Sequence, residues 1–300
     1  MSSSLLAVIG PTASGKSALA IKLAQALGKS EIISADAMQL YRGMDIGTAK
    51  LSEAEREGIE HHLLDAVQPT EDVTAVQYRE LFDQAVSGIH NRGNQVIVAG
   101  GSTLYLAAAL DEMHFAPTDP DVRQALESEA ATSGQLEMHA KLASLDPVAA
   151  AKIPASNLRR VIRALEVVQI SGKSFAASLP EPTYRVDTKQ IGILVDRDDL
   201  RDRIELRVKR MWEAGLPAEV EGLMRKHPNL SKTARVAIGY KQAAAQLAGE
   251  ISEEQAILET VQLTQRYAKK QMTWFRRDRR ITWLDSGSDL LGRALEVIRL

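Results

Sequence analysis

The segment GPTASGKS, residues 10–17, has the composition and spacing of a phosphate-binding loop, G-x-x-x-x-G-K-[ST]. Its glycines allow successive backbone N–H groups to curl around an anion, and a following helix adds partial positive charge at its N-terminus. Lys16 would place a cation on the distal phosphate, and the Ser17 hydroxyl could join the coordination shell of Mg²⁺. A diphosphate fits such a loop as well as a triphosphate does. The predicted phosphate-binding residues are Gly10, Pro11, Thr12, Ala13, Ser14, Gly15, Lys16 and Ser17.

A carboxylate that could act beside this loop is Asp36, which follows the apolar run EIISA of residues 31–35. In parallel α/β sheets, functional groups gather at the carboxyl ends of the strands. From its position alone, Asp36 could bind Mg²⁺, act as a general base, or cap the next helix. A nucleotide-hydrolysing enzyme would normally show a second apolar strand that ends in a Mg²⁺-organising aspartate. Here the second such run, QVIVAGG at residues 95–101, ends in glycines instead.

Residues 266–280 combine basic and aromatic side chains in the manner of a nucleic-acid-binding surface. Seven Lys and Arg residues fall within these positions, opposed by Asp278 alone, and Tyr267, Trp274 and Phe275 lie between them. The cations could contact phosphates, and the rings could stack on unpaired bases. The alternative is an amphipathic helix whose aromatic side chains are core residues and whose cations are merely solvated. We expect the cations to contact RNA and Trp274 and Phe275 to lie in the core.

The elements that must position these groups follow from the hydrophobic pattern. Leu19, Leu23 and Leu27 recur at helical spacing behind the phosphate loop, and Gly28 is suited to end that helix. Repeated strand–loop–helix units with apolar strands predict an α/β fold, a P-loop NTPase-like parallel sheet flanked by helices. The predicted strands are residues 5–9, 31–36, 95–101, 190–196 and 280–284.

A second region begins near residue 116, where helical periodicity continues without any strand-like run until residue 190. This pattern predicts an inserted all-helical subdomain at residues 116–185. The catalytic core would then comprise residues 1–115 and 186–300. Residues 178–185, SLPEPTYR, contain two prolines and are predicted as the linker that leaves the insertion.

Composition excludes several functional classes. The 300 residues include no cysteine, which rules out disulfides, thiolate catalysis and cysteine-based zinc sites. No basic region precedes the first apolar run, and no apolar run approaches the roughly 20 residues of a membrane span. We therefore expect a cytoplasmic protein with no membrane association, and a monomer. Residues 1–150 carry a net charge of −10 and residues 151–300 a net charge of +8. That basic half suits a polyanion partner, although charge also serves solubility.

Seven motifs together resemble one family. In this order and at these intervals, GPTASGKS, ISADAMQLYRGMDIGTAK, HHLLD, GGSTLYL, RRVIRALEV, AIGYKQ and QRYAKKQMTWFRRD are similar to the bacterial tRNA dimethylallyltransferases. The resemblance runs from about residue 5 to residue 284. Its most specific parts are residues 33–50 and 271–275, because the phosphate loop is shared by many families.

The resemblance implies a reaction and its participants. These enzymes transfer a dimethylallyl group from dimethylallyl diphosphate to the exocyclic N6 amine of the adenosine 3′-adjacent to the anticodon in tRNA, releasing diphosphate. The implied partners are a tRNA anticodon stem-loop and dimethylallyl diphosphate, with Mg²⁺ as cofactor. The implied architecture is a P-loop core with an inserted helical domain, and a channel that receives the flipped adenine at one end and the prenyl donor at the other.

The resemblance also implies roles for individual residues. Asp36 matches the catalytic carboxylate that accepts a proton from the adenine amine, and Arg207 matches an arginine near the diphosphate. The implied catalytic set is Asp36, Thr12, Lys16 and Arg207. The implied tRNA-binding residues are Asp36, Ala37, Met38, Gln39, Ser102, Arg123, Arg159, Arg160, Val161, Ile162, Arg163, Gly239, Tyr240, Lys241, Lys269 and Arg276.

Two alternatives stay open at this point. A P-loop small-molecule kinase, or a nucleotide-driven RNA-binding module, would explain residues 10–17 and the basic C-terminal half equally well. It would require an Mg²⁺-organising aspartate after a second strand, and it leaves residues 33–50 unexplained. In the insertion, Arg159, Arg160 and Arg163 could clamp an RNA loop, or they could belong to a salt-bridged surface.

Overall fold

The computed structural model describes residues 4–113, 115–175 and 182–299 and divides the chain into two compact units. The first unit combines the residues up to Asp111 with those from Tyr184 onward, and the second is Glu112–Thr183. The second unit therefore begins four residues before the predicted start of the insertion, residue 116, and ends two residues before its predicted end, residue 185. The difference arises because Asp111 and Tyr184 form an antiparallel bridge with each other and so belong to the first unit. Of the predicted linker, residues 178–181 lie outside the described residues.

The first unit is built on a parallel six-stranded sheet with the order β3-β2-β4-β1-β5-β6. Every neighbouring pair in it is parallel. The confirmed fold class is thus a parallel α/β sheet flanked by helices. The short strand β3, a histidine pair, is not foreseen by the hydrophobic pattern. The strands are β1 (Leu5–Ile9), β2 (Ser30–Ala35), β3 (His61–His62), β4 (Gln95–Gly100), β5 (Thr188–Leu194) and β6 (Ile281–Asp285).

Helices cover both faces of this sheet. The strand β1 shows why, because Leu5, Ala7 and Ile9 join one apolar cluster while Leu6 and Val8 join the cluster on the opposite face. A strand buried on both sides needs an unbroken apolar run, as the sequence has here. The helices of the first unit are α1 (Lys16–Leu27), α2 (Ala75–Asn91), α3 (Thr103–Leu110), α7 (Arg197–Glu213), α8 (Leu216–Lys226), α9 (Lys232–Arg235), α10 (Tyr240–Leu247), α11 (Glu253–Phe275) and α12 (Leu290–Arg299), with a 3₁₀ turn at Ala54–Arg56.

The second unit is helical, with α4 (Pro120–Leu145), α5 (Pro147–Ala150) and α6 (Leu158–Ser171). Its core includes Met138, Leu142 and Leu165. Gly134 interrupts α4 with a positive φ of 79°. The unit has its own apolar core, so it can keep its internal packing independently of the sheet.

Close backbone approach at the carboxyl edge of the sheet explains the two glycines that end β4. A Cβ on Gly100 would lie 2.3 Å from the carbonyl oxygen of Ala35, and a Cβ on Gly101 would lie 2.4 Å from Nε2 of Gln271. Any side chain at either position would push apart the segments that follow β1, β2 and β4. These glycines therefore allow three loops to meet at one edge.

A buried carboxylate holds the opposite, amino edge of the sheet together. Glu31, which is 4% exposed, accepts hydrogen bonds from Arg92 (Nε 2.9 Å, Nη2 2.6 Å) and from Nδ2 of Asn94 at 2.6 Å. His62 Nε2 lies 2.5 Å from Oε2, the oxygen that also accepts from Nη2 of Arg92. The hydrogen bonds from Arg92 are the largest cause that lowers the pKa of Glu31 to about 2. This cluster joins β2, β3 and the turn before β4.

The Glu31 cluster predicts how stability depends on pH. The folded-state pKa lies below the ordinary value of 4.5, so the stabilisation is present above pH 4.5 and is lost as pH falls towards 2. Its size at neutral pH is about 3 kcal/mol. Glu31→Gln should lower the urea midpoint at pH 7, and the gap to the parent protein should close between pH 4.5 and 2.5. The exposed Glu53→Gln variant serves as control; a gap that stays constant with pH would contradict the assignment.

Candidate active site

The loop between β1 and α1 has the conformation of an anion cradle. Ala13 and Gly15 adopt positive φ values of 63° and 90°, which turn the chain back on itself before α1 begins at Lys16. The N–H groups of the first helical turn have no carbonyl partner within the helix. Ser14 is 2% exposed, and its Oγ has no hydrogen-bond partner among the described residues. Backbone and side-chain donors therefore converge on a loop where an anion would satisfy them.

Lys16 supplies a cation at this loop. Its Nζ donates a hydrogen bond to the carbonyl oxygen of Pro11 at 3.2 Å. Burial lowers the pKa of Lys16 to about 8; the negative charge of Asp36 opposes this shift, and the positive charge of Arg207 adds to it. The negative charge around the ammonium group thus does not compensate for its burial, and a bound phosphate would favour its charged form.

Arg207, on α7, completes the cationic surroundings of the loop. Its Nη1 donates to Oγ1 of Thr12, and its Nη2 donates to the carbonyl oxygen of Thr48, both at 3.3 Å. Burial lowers its pKa, while Asp36 raises it. The structure therefore brings Thr12, Lys16 and Arg207 into one charge environment with Asp36, although the four residues come from three separate segments of the chain.

Asp36 follows the last residue of β2 and is half-buried. Its Oδ1 accepts a hydrogen bond from the backbone N–H of Met38 at 3.0 Å. Within the described residues, no hydrogen bond reaches its Oδ2. The alternative that Asp36 caps a helix is wrong, because residues 37–40 form a turn and no helix begins there. One oxygen fixes the side chain to this turn, and the other is available for chemistry.

Two buried tyrosines pack near this carboxylate. The rings of Tyr78 and Tyr105 stack with centroids 4.3 Å apart, and their hydroxyls donate to the carbonyl oxygens of Ser34 and Val73. Burial raises the pKa of both phenols, and the charge of Asp36 raises it further. Both hydroxyls thus stay protonated and act as hydrogen-bond donors.

Gln271 is a site residue to which the sequence analysis gave no role. This side chain of α11 is 3% exposed. Its Oε1 accepts from the backbone N–H of Thr12 at 2.9 Å, and its Nε2 donates to the carbonyl oxygen of Gly101 at 2.7 Å. It therefore clamps the phosphate loop to the segment that follows β4. The signal that the sequence offered for this role is a polar amide on the buried face of an amphipathic helix, because a buried amide needs hydrogen-bond partners.

Besides Asp36, four of the predicted tRNA-binding residues follow β2 and β4. Ala37 and Met38 are half-buried and pack against the apolar clusters. Ser102 is the N-cap residue that precedes α3, and its N–H donates to the carbonyl oxygen of Ala35 at 3.1 Å. Gln39 instead holds a loop: its Oε1 accepts from Ser34 Oγ at 2.9 Å, and its Nε2 donates to two loop carbonyls at 3.2 and 3.4 Å. This amide serves internal structure rather than presenting free donors.

Three predicted tRNA contacts are core residues instead. Val161 and Ile162 are 0% and 7% exposed because they fill the core of the helical unit. Tyr240 is 3% exposed, and its hydroxyl donates to Glu219 at 2.6 Å. The expectation that these side chains face RNA is corrected accordingly. Gly239 precedes Tyr240 with a φ of 90°, and Lys241 is exposed.

The arginines of the helical unit separate into two groups. Arg123 and Arg163 both form ion pairs with Glu166, whose side chain is fully buried. Their guanidinium groups lower the pKa of Glu166 to about 2 against the effect of its burial. The salt-bridge alternative therefore applies to this pair. Arg159 and Arg160 are exposed at the start of α6 and form no ion pair with a described residue.

The basic segment at the end of α11 is largely exposed. Phe275 is 1% exposed, whereas Trp274 is 37% exposed and meets it edge-on at 5.9 Å. The expected core position is confirmed for Phe275 and wrong for Trp274. Arg280 is structural, because it pairs with Asp111 and Asp278 at 2.7 and 2.6 Å. The exposed cations, which form no ion pair with described carboxylates, are Arg266, Lys269, Lys270, Arg276, Arg277 and Arg279.

Two cavities lie close to the phosphate loop, and Asp36 lines neither of them. The larger, about 840 Å³, lies against Ser14, Lys22, Arg203 and residues 286–291. The smaller, about 20 Å³, is lined by apolar and polar side chains, and Ser17 is among the polar ones. The channel implied by the resemblance stays a prediction.

Across the described ranges, no three or more His, Asp or Glu side chains are grouped to hold a metal, and no helix has the length and apolar character to cross a membrane.

Comparisons with known proteins agree with one another. A family model described as IPP transferase matches residues 39–278. The tRNA dimethylallyltransferase of Salinispora arenicola is 48% identical over 296 residues, which is 98% of this chain and 86% of that protein. The full-length tRNA isopentenylpyrophosphate transferase of Bacillus halodurans is 36% identical, with a TM-score of 0.72 and coverage of 99% and 95% of the two chains.

A eukaryotic dimethylallyltransferase, solved in structures that show it acting on tRNA, has a TM-score of 0.83 at 26% identity. The match covers 98% of this chain and 78% of that one. The family model alone spans more than half of the chain, and the sequence identity extends over nearly all of it. The chain belongs to the IPP transferase family, the family of the tRNA dimethylallyltransferases.

Proposed function

We propose that this protein transfers the dimethylallyl group of dimethylallyl diphosphate to the N6 amine of the adenosine 3′-adjacent to the anticodon in tRNA. The observation that carries the proposal is the charge environment shared by Asp36, Lys16 and Arg207. Burial lowers the pKa of Lys16 and of Arg207, and the charge of Asp36, which has one oxygen without a hydrogen bond, opposes both shifts. A leaving-group site and a proton acceptor are thereby combined in one place.

The leaving group would be held by the phosphate loop. As the bond between C1 of the donor and its bridging oxygen breaks, negative charge grows on the diphosphate, and stabilising that charge is the main demand on the protein. Lys16 and Arg207 supply the cations, and the loop amides and Thr12 supply hydrogen-bond donors. In this reaction the loop binds a departing group, so no nucleotide is hydrolysed.

Mg²⁺ is the cofactor that we propose for this site. The Ser17 hydroxyl, at the half-buried first turn of α1, would hold it together with diphosphate oxygens and water. Such a donor set suits Mg²⁺, which keeps several waters and is usually bound through few protein groups and substrate phosphates. When bound, the ion neutralises charge on the departing diphosphate.

Asp36 would act on the nucleophile. The lone pair of an adenine amine is delocalised into the ring, so the amine attacks poorly until a base accepts its proton. The new bond joins N6 to C1 of the prenyl group, the old C1–oxygen bond breaks, and the N6 proton passes to Oδ2 of Asp36. A positioned base of this kind typically contributes about 10²- to 10⁴-fold in rate.

The RNA would be bound through phosphate contacts from exposed cations. A base that reacts at its exocyclic amine must leave the stack, which is less costly in a single-stranded loop than in a duplex. The exposed side chains Lys269, Arg276 and Trp274 of the α11 end, and Arg159 and Arg160 of the helical unit, are the ones we propose to contact the anticodon stem-loop. We further propose that the protein acts as a monomer in the cytoplasm.

The reaction is tested by mixing the protein and Mg²⁺ with unmodified tRNA and either dimethylallyl diphosphate or ATP. With the prenyl donor, mass spectrometry of the RNA should show a gain of one C5H8 unit on the adenosine beside the anticodon. With ATP, the RNA mass should not change. Phosphate release from ATP without any prenyl addition would favour the kinase or nucleotide-driven alternative and overturn the proposal.

The role of Asp36 is tested by Asp36→Asn, which keeps an oxygen to accept from the Met38 N–H but removes the base. We expect kcat to fall about 10²- to 10⁴-fold because proton removal is lost, with little change in affinity for tRNA. Single-turnover prenylation and filter binding measure the two quantities. Glu80→Gln changes an exposed carboxylate of α2 and is the control. A nearly fully active Asp36→Asn enzyme would exclude this base.

The RNA contacts are tested by salt dependence. Lys269→Ala and Arg276→Ala should each weaken binding of the anticodon stem-loop, and each should reduce the slope of log K against log salt by about 1. Lys209→Ala is a matched control, because its ammonium group is already paired with Glu205 at 2.7 Å. Slopes that equal those of the parent protein would show that these two cations do not meet phosphates.

A further inference from the structure

A single carboxylate organises the turn at residues 45–47. Glu219, in the first turn of α8, accepts from the backbone N–H groups of Asp45 at 3.2 Å and Ile46 at 2.8 Å through Oε2. Its Oε1 accepts from the N–H of Gly47 at 3.4 Å and from the hydroxyl of Tyr240 at 2.6 Å. Four donors thus converge on one side chain that lies more than 170 positions away from the turn.

The turn is shaped to fit this arrangement. A Cβ on Gly47 would lie 2.4 Å from the ring of Tyr240 and 2.9 Å from a methyl group of Leu216. The backbone of the turn therefore rests directly on the Tyr240 ring. Burial raises the pKa of Tyr240, and the charge of Glu219 raises it further, so the phenol remains a hydrogen-bond donor.

The next residue along the chain connects the turn to the phosphate loop. The carbonyl oxygen of Thr48 accepts from Nη2 of Arg207 at 3.3 Å, while Nη1 of the same guanidinium donates to Oγ1 of Thr12 at 3.3 Å. Gln39 holds this carbonyl from another side at 3.2 Å. The position of the Thr48 carbonyl therefore sets where the guanidinium lies relative to the loop.

We propose that Glu219 and Tyr240 are positioning residues for diphosphate recognition. They fix the turn at residues 45–47, the turn fixes the Thr48 carbonyl, and that carbonyl holds Arg207 against Thr12. Neither residue touches the reacting atoms. The inference rests on the proposed function, because it assigns the diphosphate to the loop beside Arg207.

The test measures inorganic diphosphate binding, with Mg²⁺ present, by calorimetry on the full-length protein. Glu219→Ala removes all four acceptor contacts and should weaken diphosphate binding by about 10-fold. Losses of this size are typical when a group that orients a ligand-binding residue is removed. Glu219→Gln and Tyr240→Phe each keep some of the hydrogen bonds around residue 219, so these variants should lose less affinity for diphosphate than Glu219→Ala does. Glu221→Gln, an exposed carboxylate on the same helix, should match the parent protein.

A second readout separates positioning from general damage to the fold. KM for dimethylallyl diphosphate should rise in the order Glu221→Gln, Tyr240→Phe, Glu219→Ala, while affinity for an anticodon stem-loop and KM for tRNA stay at the parent values. Equal losses in diphosphate and stem-loop binding would mean a merely structural role and would overturn the inference.

The outcomes also separate this inference from the proposed function. If the parent protein binds no diphosphate, the proposed function fails. If the parent binds diphosphate and Glu219→Ala binds it equally well, only the positioning role fails. Should Glu219→Ala not fold, Tyr240→Phe decides, because it removes a single hydroxyl; unchanged diphosphate affinity and KM in that variant would overturn the inference.

Discussion

The structure depends on an imbalance of charge: two largely desolvated cations, Lys16 and Arg207, share one carboxylate, Asp36. Removing cations from water without matching anions is costly, and the lowered pKa of Lys16 records that cost. A diphosphate would supply the missing negative charge. One oxygen of Asp36 accepts no hydrogen bond from the described residues, so leaving-group capture and base catalysis would come from one electrostatic arrangement.

Long-range hydrogen bonds keep this arrangement in place, because Lys16, Asp36 and Arg207 come from three different segments. The parallel sheet brings the ends of β1, β2 and β4 to one edge, and Gly100 lets them approach at backbone distance. Gln271 then ties the loop to the segment after β4, and the Thr48 carbonyl orients Arg207. Such partners, buried and fully hydrogen-bonded, restrict the cations to one geometry before substrate arrives.

The sequence predicted the parts of the site that local chemistry determines. Apolar runs identified β1, β2, β4, β5 and β6, and the glycine–lysine spacing located the loop that turns with positive φ between β1 and α1. It could not predict which polar side chains bind partners within the protein, because a side chain carries the same groups whether it faces RNA or the protein interior. In the structure Arg163 pairs with Glu166, Gln39 donates to a loop carbonyl, and Tyr240 donates to Glu219. Hydrogen-bond partners that lie 9 to 259 positions apart leave no periodic pattern in the sequence. Gln39 with Thr48 and Gln271 with Thr12 are examples. The two-residue strand β3 was missed for the same reason, since its pairing with β2 and the His62–Glu31 contact are tertiary.

The most direct measurement is a crystal structure of the protein with an anticodon stem-loop, Mg²⁺ and a thio-analogue of dimethylallyl diphosphate that does not react. We expect diphosphate oxygens against the amides of residues 12–17, Lys16 and Arg207, with the flipped adenine N6 within hydrogen-bond reach of Oδ2 of Asp36. A diphosphate bound away from this loop, or an adenine amine out of reach of Asp36, would contradict this expectation.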